Sequence, residues 1–331
     1  MNKEEILQYP DDSAGSIMTT EYVGLWEDAK VREAFDTIRK TGLNKATIYN
    51  CYVIRKDMLL LGVVTAKDLM LSQPWQRIAD IMETNPIFAY TSDDREVIAE
   101  QFHKYDLLAM PVVDEEKRLV GIITVDDIVD IIIEENTEDI EKMGALAPSD
   151  EPYLKTGIFR LARNRIFWLL ILMLSATLTG IIISSYETRM LALPVLMAFI
   201  PLLMDTGGNA GSQSSTLIIR GMAVGEIIPK DILSILWKEF RIALLLGLGL
   251  GIINFLWVYI IYGQDLMLSF AVTLTLYTTL LMAKTLGCIL PIAARCIKID
   301  PAVMATPSIT TICDAFSLII YFTIAKAILG L

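Results

Sequence analysis

Residues 204–215 read Met-Asp-Thr-Gly-Gly-Asn-Ala-Gly-Ser-Gln-Ser-Ser and interrupt a segment that is otherwise apolar enough to cross a membrane. Apolar residues lead up to them from Met190, with two prolines among them, and resume at Leu217. Glycines and small polar residues are costly at bilayer depth unless the loosened backbone is buried in protein or lines a wet cavity. Transporters and channels place ion sites at such breaks, because free carbonyls and helix ends can replace a hydration shell. The segment therefore predicts a broken membrane helix and a role in transport.

Charge divides the 331 residues into two unlike halves. Residues 1–159 hold 31 acidic and 16 basic residues, a net charge of −15, whereas residues 160–331 hold 8 and 12, a net charge of +4. This division predicts a soluble acidic module followed by a membrane module, and an acidic surface repels nucleic acid and attracts cations. The four cysteines lack metal-site spacing, so we expect a reducing compartment and no disulfide framework. No apolar run follows the first basic residue, so we expect no signal peptide.

The second half contains five hydrophobic segments, each near the roughly 20 residues that cross the hydrocarbon core. They cover residues 166–185, 190–219, 242–262, 266–294 and 307–331. Basic residues cluster before the first segment, between the second and third, and between the fourth and fifth. Because positive charge marks the cytoplasmic side, we expect these connections and the soluble half inside the cell, and the C-terminus outside. The chain is thus predicted to be a multi-pass protein of the plasma membrane.

Asp205, Lys284 and Asp314 are charged side chains in the interior of these segments. Charges at this depth normally face a pore or each other. Asp314 has no cationic neighbour in its own segment, and a carboxylate with carbonyls and waters suits Mg²⁺. Its alternative role is helix capping or an interhelical hydrogen bond. Asp205 and Lys284 have opposite signs, so we hypothesise a buried ion pair between them, with direct ion binding by Asp205 as the alternative.

The soluble half contains an internal repeat. Each copy is predicted to fold as a strand, a helix, two strands and a helix, with helices over 31–41 and 96–105. The motif Gly-x-x-Thr-x-x-Asp occurs once in each copy, as Gly62/Thr65/Asp68 and as Gly121/Thr124/Asp127. This arrangement resembles a tandem CBS domain pair, a regulatory module that often binds adenine nucleotides. The resemblance makes the Thr and Asp of each motif candidates for nucleotide contacts, although both residue types also cap helices.

A dense run of carboxylates follows the second copy. Its members recur at helical spacings and so line one side of a predicted helix; they are Asp127, Asp130, Glu134, Glu135, Glu138 and Asp139. Like charges at these spacings repel when they are unpaired. The run is either a solvated acidic surface or a site that Mg²⁺ relieves. Residues 143–165 connect it to the first membrane segment, so an ion-dependent movement would reach that segment directly.

The whole chain resembles the MgtE family of magnesium channels. Two motifs carry the resemblance: Pro201-x₅-Gly207-Gly208-Asn209-x-Gly211-x-Gln213, and Asp300-Pro301-Ala302 followed by Thr310-Thr311-x-x-Asp314. The family implies a homodimer whose pore is lined by the second and fifth spans of both copies, with Asp314 as the selectivity carboxylate. The implied supporting ligands or water partners are backbone oxygens near Gly208, Asn209, Thr306 and Thr310. The family also implies that cytoplasmic Mg²⁺ closes the channel, at positions that correspond to Asp127, Asp130, Glu135, Glu138 and Asp139.

The predicted organisation has five parts. They are a lead over 1–14, a first CBS motif over 15–78, a second over 79–138, a plug-like connecting helix over 139–165, and a membrane domain over 166–331. The predicted fold class is therefore an α+β CBS pair, joined by a long connecting helix to an all-α domain of five membrane helices. Family members commonly carry a further acidic helical domain before the CBS pair, which this sequence lacks, so we expect gating to be tuned differently.

The leading hypothesis is a dimeric Mg²⁺ channel that is gated by cytoplasmic Mg²⁺, with ATP as a candidate ligand of the CBS pair. One alternative is a transporter of Co²⁺ or Mn²⁺, which the scarcity of soft ligands near the pore disfavours, although Cys313 adjoins Asp314. The other is a CBS-regulated membrane hydrolase. That enzyme would need a constellation such as His-Glu-x-x-His, and the single histidine, His103, lies in the soluble half. The sequence therefore predicts a protein that is not an enzyme.

Overall fold

The computed structural model describes residues 9–149, 151–186, 193–263 and 265–330, without the side chain of Thr306. They form two units, of which the first ends at Asn136 and the second begins at Thr137. Most of the predicted lead over residues 1–14 lies outside the described residues.

Each copy of the repeat folds as a strand, a helix, two strands and a helix, as the sequence predicts. In each sheet the first strand is parallel to the second, and the second is antiparallel to the third. The first copy contains α1 (Ala14–Ile17), β1 (Val23–Trp26), α2 (Val31–Thr41), β2 (Asn50–Ile54), β3 (Leu60–Thr65) and α3 (Ala66–Leu71). The second contains α4 (Ile78–Ile81), β4 (Ala89–Tyr90), α5 (Arg95–Tyr105), β5 (Ala109–Val113), β6 (Leu119–Thr124) and the start of α6 (Val125–Met143).

The two copies exchange backbone hydrogen bonds through the segments that precede their sheets. Thr19, ahead of the first sheet, bonds to Ile122 of the second copy with N–O distances of 2.8 Å in both directions. Glu83, ahead of the second sheet, bonds in the same way to Val63 of the first copy. A Cβ on Gly121 would meet the Thr19 carbonyl oxygen at 2.9 Å, and the motif glycine of the first copy faces the Glu83 carbonyl. The motif glycines therefore allow the close approach of one copy to the other.

The second unit is helical. It contains the end of α6, then α7 (Ile158–Ser185), α8 (Ile200–Ala223), α9 (Ile232–Ile261), α10 (Leu266–Cys296) and α11 (Thr306–Leu329). Short 3₁₀ turns precede three of these helices, at Pro194–Phe199, Pro229–Asp231 and Pro301–Met304. Among the described residues, the stretches around α7, α9, α10 and α11 are long and apolar enough to cross a membrane. The helix α8 covers the predicted second span, but it is richer in small polar residues.

The predicted break at residues 204–215 is wrong, because α8 is one continuous helix of 24 residues. The irregular backbone lies earlier, in the 3₁₀ turn Pro194–Phe199. Pro201 lies in the first turn of α8, where its missing N–H removes no helical hydrogen bond. The two prolines therefore fix where the helix begins, and the glycines that follow do not end it.

The glycines of α8 serve helix packing. A Cβ on Gly208 would meet Thr310 Cγ2 of α11 at 2.6 Å, and a Cβ on Gly211 would meet Ile309 Cγ2 at 2.7 Å. Small residues let membrane helices approach until their backbones nearly touch. The glycine-rich motif is thus a contact surface for α11, and this close packing compensates for the low helix propensity of glycine.

A single connecting helix over residues 139–165 is also wrong, since α6 ends at Met143 and α7 begins at Ile158. Ala145 adopts the left-handed conformation, with φ 54°, which ends a helix. Pro148 and Pro152 follow and prevent the helix from resuming. The described residues between these helices, 144–149 and 151–157, are therefore non-helical.

The helix α10 lies at the centre of the second unit and packs against α8, α9 and α11. Its Val272 and Leu280 are buried in the core with Leu203 of α8 and Ile309 of α11. By contrast, only the C-terminal end of α7, around Ile182, packs against α11. Most of the remaining apolar surface of α7 is exposed. The contact between α8 and the α10–α11 pair therefore determines which side of α8 stays open.

Gly287 of α10 gives a test of this close packing. A Cβ there would collide with the Gly211 carbonyl of α8, so Gly287→Ala should destabilise the protein by about 1–3 kcal/mol. The matched control is Gly249→Ala in α9, where a Cβ meets nothing within 4 Å and the change should stabilise the helix by up to about 1 kcal/mol. Thermal unfolding of the purified protein in detergent measures both. Equal melting temperatures for the two variants would contradict the packing.

Candidate functional site

A row of polar side chains lies on the open side of α8. Asp205, Asn209 and Gln213 recur four residues apart and are exposed, whereas Gly207 and Gly211 on the opposite side are buried. Asn209 Nδ2 donates a hydrogen bond of 3.0 Å to Asp205 Oδ2, which leaves the amide oxygen as an acceptor. An apolar unit that presents such a row offers oxygen atoms to a polar solute.

Asp314 of α11 adds a second carboxylate to this region. It is partly buried, and its Oδ1 is shielded from solvent without a hydrogen-bond partner among the described residues. Asp205 and Asp314 flank the contact between α8 and α11, where Gly208 meets Thr310 and Gly207 meets Ser317. Neither carboxylate forms an ion pair with a basic residue in the described ranges. Two carboxylates from neighbouring helices therefore lie near each other without a protein cation.

The structure brings most of the predicted ion-site residues together. Thr310 packs directly against Gly208, one helical turn before Asp314, and Asn209 follows Gly208 on α8. The side chain of Thr306 lies outside the described residues. Because α8 is continuous, the carbonyls of Gly208 and Asn209 lie within helical hydrogen-bonding geometry. The expectation of opened backbone oxygens is therefore wrong, and the exposed oxygen atoms on this side of α8 belong to polar side chains.

The hypothesised ion pair between Asp205 and Lys284 is wrong. Lys284 Nζ lies 3.2 Å from Glu239 Oε2 of α9 and 3.1 Å from Ser214 Oγ of α8. Both charged side chains are largely buried. Glu239 lies three residues before the predicted third segment, which begins at Ile242, so the sequence prediction does not include it. A lone acid inside the 30-residue helix α9 was the signal that could have revealed it.

The Thr and Asp of each CBS motif cap the helix that follows them. Thr65 Oγ1 accepts the Asp68 amide at 3.1 Å and donates to Asp68 Oδ2 at 2.6 Å. In the second copy, Thr124 Oγ1 donates to Asp127 Oδ2, also at 2.6 Å. A reciprocal capping box of this kind satisfies free N–H groups at a helix start. The four predicted nucleotide residues thus have a structural role, and their pairing leaves one oxygen of each carboxylate accessible to a ligand.

In the first unit, Arg95 of α5 neutralises part of the acidic helix. Its guanidinium lies 2.7 Å from Glu135, 3.3 Å from Glu134 and 3.5 Å from Asp12, and its side chain is 19% exposed. Asp130, by contrast, is exposed. The predicted Mg²⁺ ligand Glu135 is therefore already paired with a cation of the protein.

In the second unit, the end of α6 carries a second acidic cluster around Lys142. Lys142 Nζ forms ion pairs with Glu138 and, at 2.6 Å, with Asp300. Burial opposes protonation of Lys142, but the carboxylates of Asp300 and Glu138 outweigh it and raise its pKa. Burial, followed by the nearby charge of Asp300, raises the pKa of Asp139 above its ordinary value. Lys142 thus stays protonated, whereas Asp139 is costly to ionise.

These carboxylates do not form a metal site within either unit of one chain. Among the described residues, no three His, Cys, Asp or Glu side chains come together with the spacing of metal ligands. Of the five predicted ligands of regulatory Mg²⁺, Asp127 is bonded to Thr124, Glu135 to Arg95 and Glu138 to Lys142. The donor set within either unit therefore does not fit a bound regulatory ion.

Comparison with known proteins matches both halves of the chain. Residues 200–324 match the MgtE family model, described as a divalent cation transporter, and residues 14–73 and 78–134 match the CBS domain. The chain is 38% identical to the magnesium transporter MgtE of Thermus thermophilus over 328 residues, covering 98% of this chain and 72% of that protein. The chain belongs to the MgtE family. The Bacillus subtilis MgtE is 36% identical over 322 residues, covering 97% and 71%.

One solved structure is the cytosolic domain of the Mg²⁺ channel MgtE in complex with ATP. Its sequence is 40% identical to the matching part of this chain, and the TM-score is 0.38. The match covers 39% of this chain and 52% of that chain. The sequence matches confirm the predicted family and the CBS pair. MgtE proteins are membrane transporters, which agrees with the prediction of a non-enzymatic membrane protein.

The pKa shift of Asp139 predicts a pH-dependent stability. A carboxyl group whose pKa is raised on folding stabilises the fold while protonated, and that stability is lost as pH rises through the folded pKa. Asp139→Asn should therefore raise the melting temperature at about pH 7.5 and change it little at about pH 4. Thermal unfolding in detergent at both pH values measures this difference. Asp130→Asn, an exposed change on the same helix, is the control, and an equal effect there would contradict the assignment.

Proposed function

We propose that the chain mediates Mg²⁺ uptake and that the ion passes along the open face of α8 and Asp314 of α11. The observation that carries this proposal is the pair of neighbouring carboxylates, Asp205 and Asp314, without a basic partner in the described ranges. Charged groups at membrane depth are costly unless they are paired or solvated, and a passing cation lowers that cost. The unpartnered Oδ1 of Asp314 marks the position where a cation or its bound water is best received.

The donor atoms on this path favour Mg²⁺. They are carboxylate, amide and hydroxyl oxygens, from Asp314, Asn209 and Thr310, and Mg²⁺ prefers a few such ligands because it retains much of its water. Cys313 is fully buried against Gly211 of α8, so its thiol belongs to the helix contact. The absence of a soft ligand from the described part of the path disfavours the alternative, a transporter tuned to Co²⁺. Mn²⁺, which also accepts oxygen ligands, remains the alternative cargo.

A homodimer follows from the open face of α8. In one chain the row of Asp205, Asn209 and Gln213 would face lipid. There, each unpaired polar group costs on the order of several kcal/mol. A second copy that apposes its own α8 and α11 encloses both rows in one polar path. Two Asp314 carboxylates then face the ion, which meets the charge of a divalent cation.

The helices α7 to α11 cross the bilayer five times in this proposal. Basic residues near the start of α7, around the link between α8 and α9, and at the end of α10 support a cytoplasmic location for the soluble half and these connections, with the C-terminus outside. Arg295 of one such connection donates to the Met222 carbonyl at 3.0 Å, which joins the ends of α10 and α8 on that side. Uptake is then driven by the membrane potential, negative inside.

Regulation from the cytoplasm completes the proposal. The acidic helix α6 responds to Mg²⁺, and because neither unit supplies a complete ligand set among its described residues, the ion would take ligands from both copies. The CBS pair takes ATP near the two Thr-Asp capping boxes, where Thr65, Asp68, Thr124 and Asp127 are the candidates. Asp127 is a candidate ligand for both Mg²⁺ and ATP. Its Oδ2 accepts a hydrogen bond from Thr124, so its Oδ1 is the oxygen that either ligand would contact.

Limited proteolysis of the full-length protein tests both regulatory ligands. Mg²⁺ at roughly millimolar concentration should protect residues 130–160 from cleavage. The bound ion neutralises the carboxylates, which then no longer repel one another. ATP without Mg²⁺ should protect the loops around the two capping boxes instead, and Thr65→Ala with Thr124→Ala should remove that effect. Potassium at equal ionic strength is the control. Cleavage rates that neither ligand changes would contradict regulation at these places.

Growth of a Mg²⁺-uptake-deficient cell tests the transport function. The native chain should restore growth at low Mg²⁺, and Asp314→Asn should lower uptake by about tenfold or more, because ion affinity follows ligand charge. Glu226→Gln, an exposed acid outside the path, is the matched control and should behave as the native chain. Membrane abundance of each variant is measured in parallel. Full rescue by both Asp314→Asn and Asp314→Ala would remove this residue from the mechanism.

A further inference from the structure

Three helices of the membrane unit share one buried polar cluster. Ser214 of α8 donates to Glu239 Oε2 of α9 at 2.8 Å, and Lys284 Nζ of α10 donates to the same carboxylate oxygen at 3.2 Å. Lys284 also reaches Ser214 Oγ at 3.1 Å, so that all three side chains are in mutual contact. Their exposures are 1%, 9% and 5% respectively. The cluster is closed to solvent and is distinct from the carboxylates of the ion path.

Stability alone does not account for such a cluster. Desolvation of two charges offsets most of their attraction, and apolar side chains of similar volume often stabilise a buried position as well. What the pair adds is direction, because hydrogen bonds fix both a distance and an angle. The Ser214 hydroxyl bonds to the pair and so fixes the orientation of α8 relative to it.

The cluster lies behind the row of polar residues on α8. Ser214 is next in sequence to Gln213, which points to the open side, and one turn after Gly211, which lies against α11. On α10, Gly287 follows Lys284 by one turn, and a Cβ there would meet Ser214 Cβ at 3.1 Å. Backbone contact and the ion pair thus fix the same turn of α8 from one side.

We propose that Glu239 and Lys284 are positioning residues for ion passage: through Ser214 they fix the rotation of α8 that directs Asn209 and Gln213 to the ion path. This inference rests on the proposed function, since it assigns a role relative to that path. The pair touches neither the ion nor its ligands. It acts by holding a helix whose middle carries glycines at 207, 208 and 211, so that few side chains of α8 itself fix its rotation there.

The first test removes the hydroxyl and keeps the pair. Ser214→Ala should leave membrane abundance unchanged, because Glu239 and Lys284 still satisfy each other at 3.2 Å. The half-saturating Mg²⁺ concentration for entry into proteoliposomes should shift by roughly two- to thirtyfold, the range seen when a supporting contact is lost. Ser269→Ala is the matched control, since that buried hydroxyl bonds within its own helix, to the Asp265 carbonyl at 2.7 Å. A purely structural role would change abundance and leave half-saturation unaltered.

The second test replaces the pair by apolar side chains of similar length. Glu239→Met combined with Lys284→Met leaves no unpaired buried charge, so the protein should insert and remain folded. Its half-saturation should shift as in Ser214→Ala, and adding Ser214→Ala to it should cause no further shift, because the tie is already absent. Shifts that add in the triple variant, or a native half-saturation in the double variant, would overturn the proposal.

A readout without transport separates this inference from the proposed function. Native proteoliposomes that admit no more Mg²⁺ than empty vesicles would refute the uptake function itself. In that case, melting temperatures of the same four proteins in detergent still report the coupling of Ser214 to the pair. Additive changes there would overturn the tie between α8 and the pair, whereas a non-additive cycle would support it.

Discussion

The membrane unit depends on one constraint, which is that polar groups at bilayer depth must be satisfied by protein, water or ions. The helix α8 meets this constraint differently on its two sides. Its buried side is satisfied by close helix packing and by the cluster of Ser214, Glu239 and Lys284. Its open side carries Asp205, which has no basic partner among the described residues and is bonded to Asn209 of the same helix. The cation and the second copy of the proposal would satisfy this side.

The sequence predicted the elements whose signal is local. Strand, helix and turn patterns in the repeat placed α2 at its observed bounds, and the apolar segments located the helices of the second unit. The predicted break in α8 failed because glycine has two uses in membrane helices, as a loosening residue and as a surface for close packing. Only the position of α11 against Gly208 distinguishes them, and that contact joins residues about a hundred positions apart.

Charge partners were the other part that the sequence left open. Their opposite charges suggested an ion pair between Asp205 and Lys284. In the structure, Asp205 lies on the open side of α8, and Lys284 pairs with Glu239 instead. The acidic run on α6 shows the same limit. Its helical spacing was readable, but Arg95 and Lys142 neutralise part of it through contacts that spacing does not reveal. The candidate site was thus predicted by residue type, and its pairings were not.

The exchange of backbone bonds between the repeat copies has a consequence for how the soluble half unfolds. Thr19 completes the sheet of the second copy, and Glu83 completes that of the first, so neither copy retains its full set of hydrogen bonds alone. The two copies therefore open and close as one cooperative block. A ligand that binds either copy stabilises both, and a chain cut between them would leave two fragments with unpaired strand edges that are prone to aggregate.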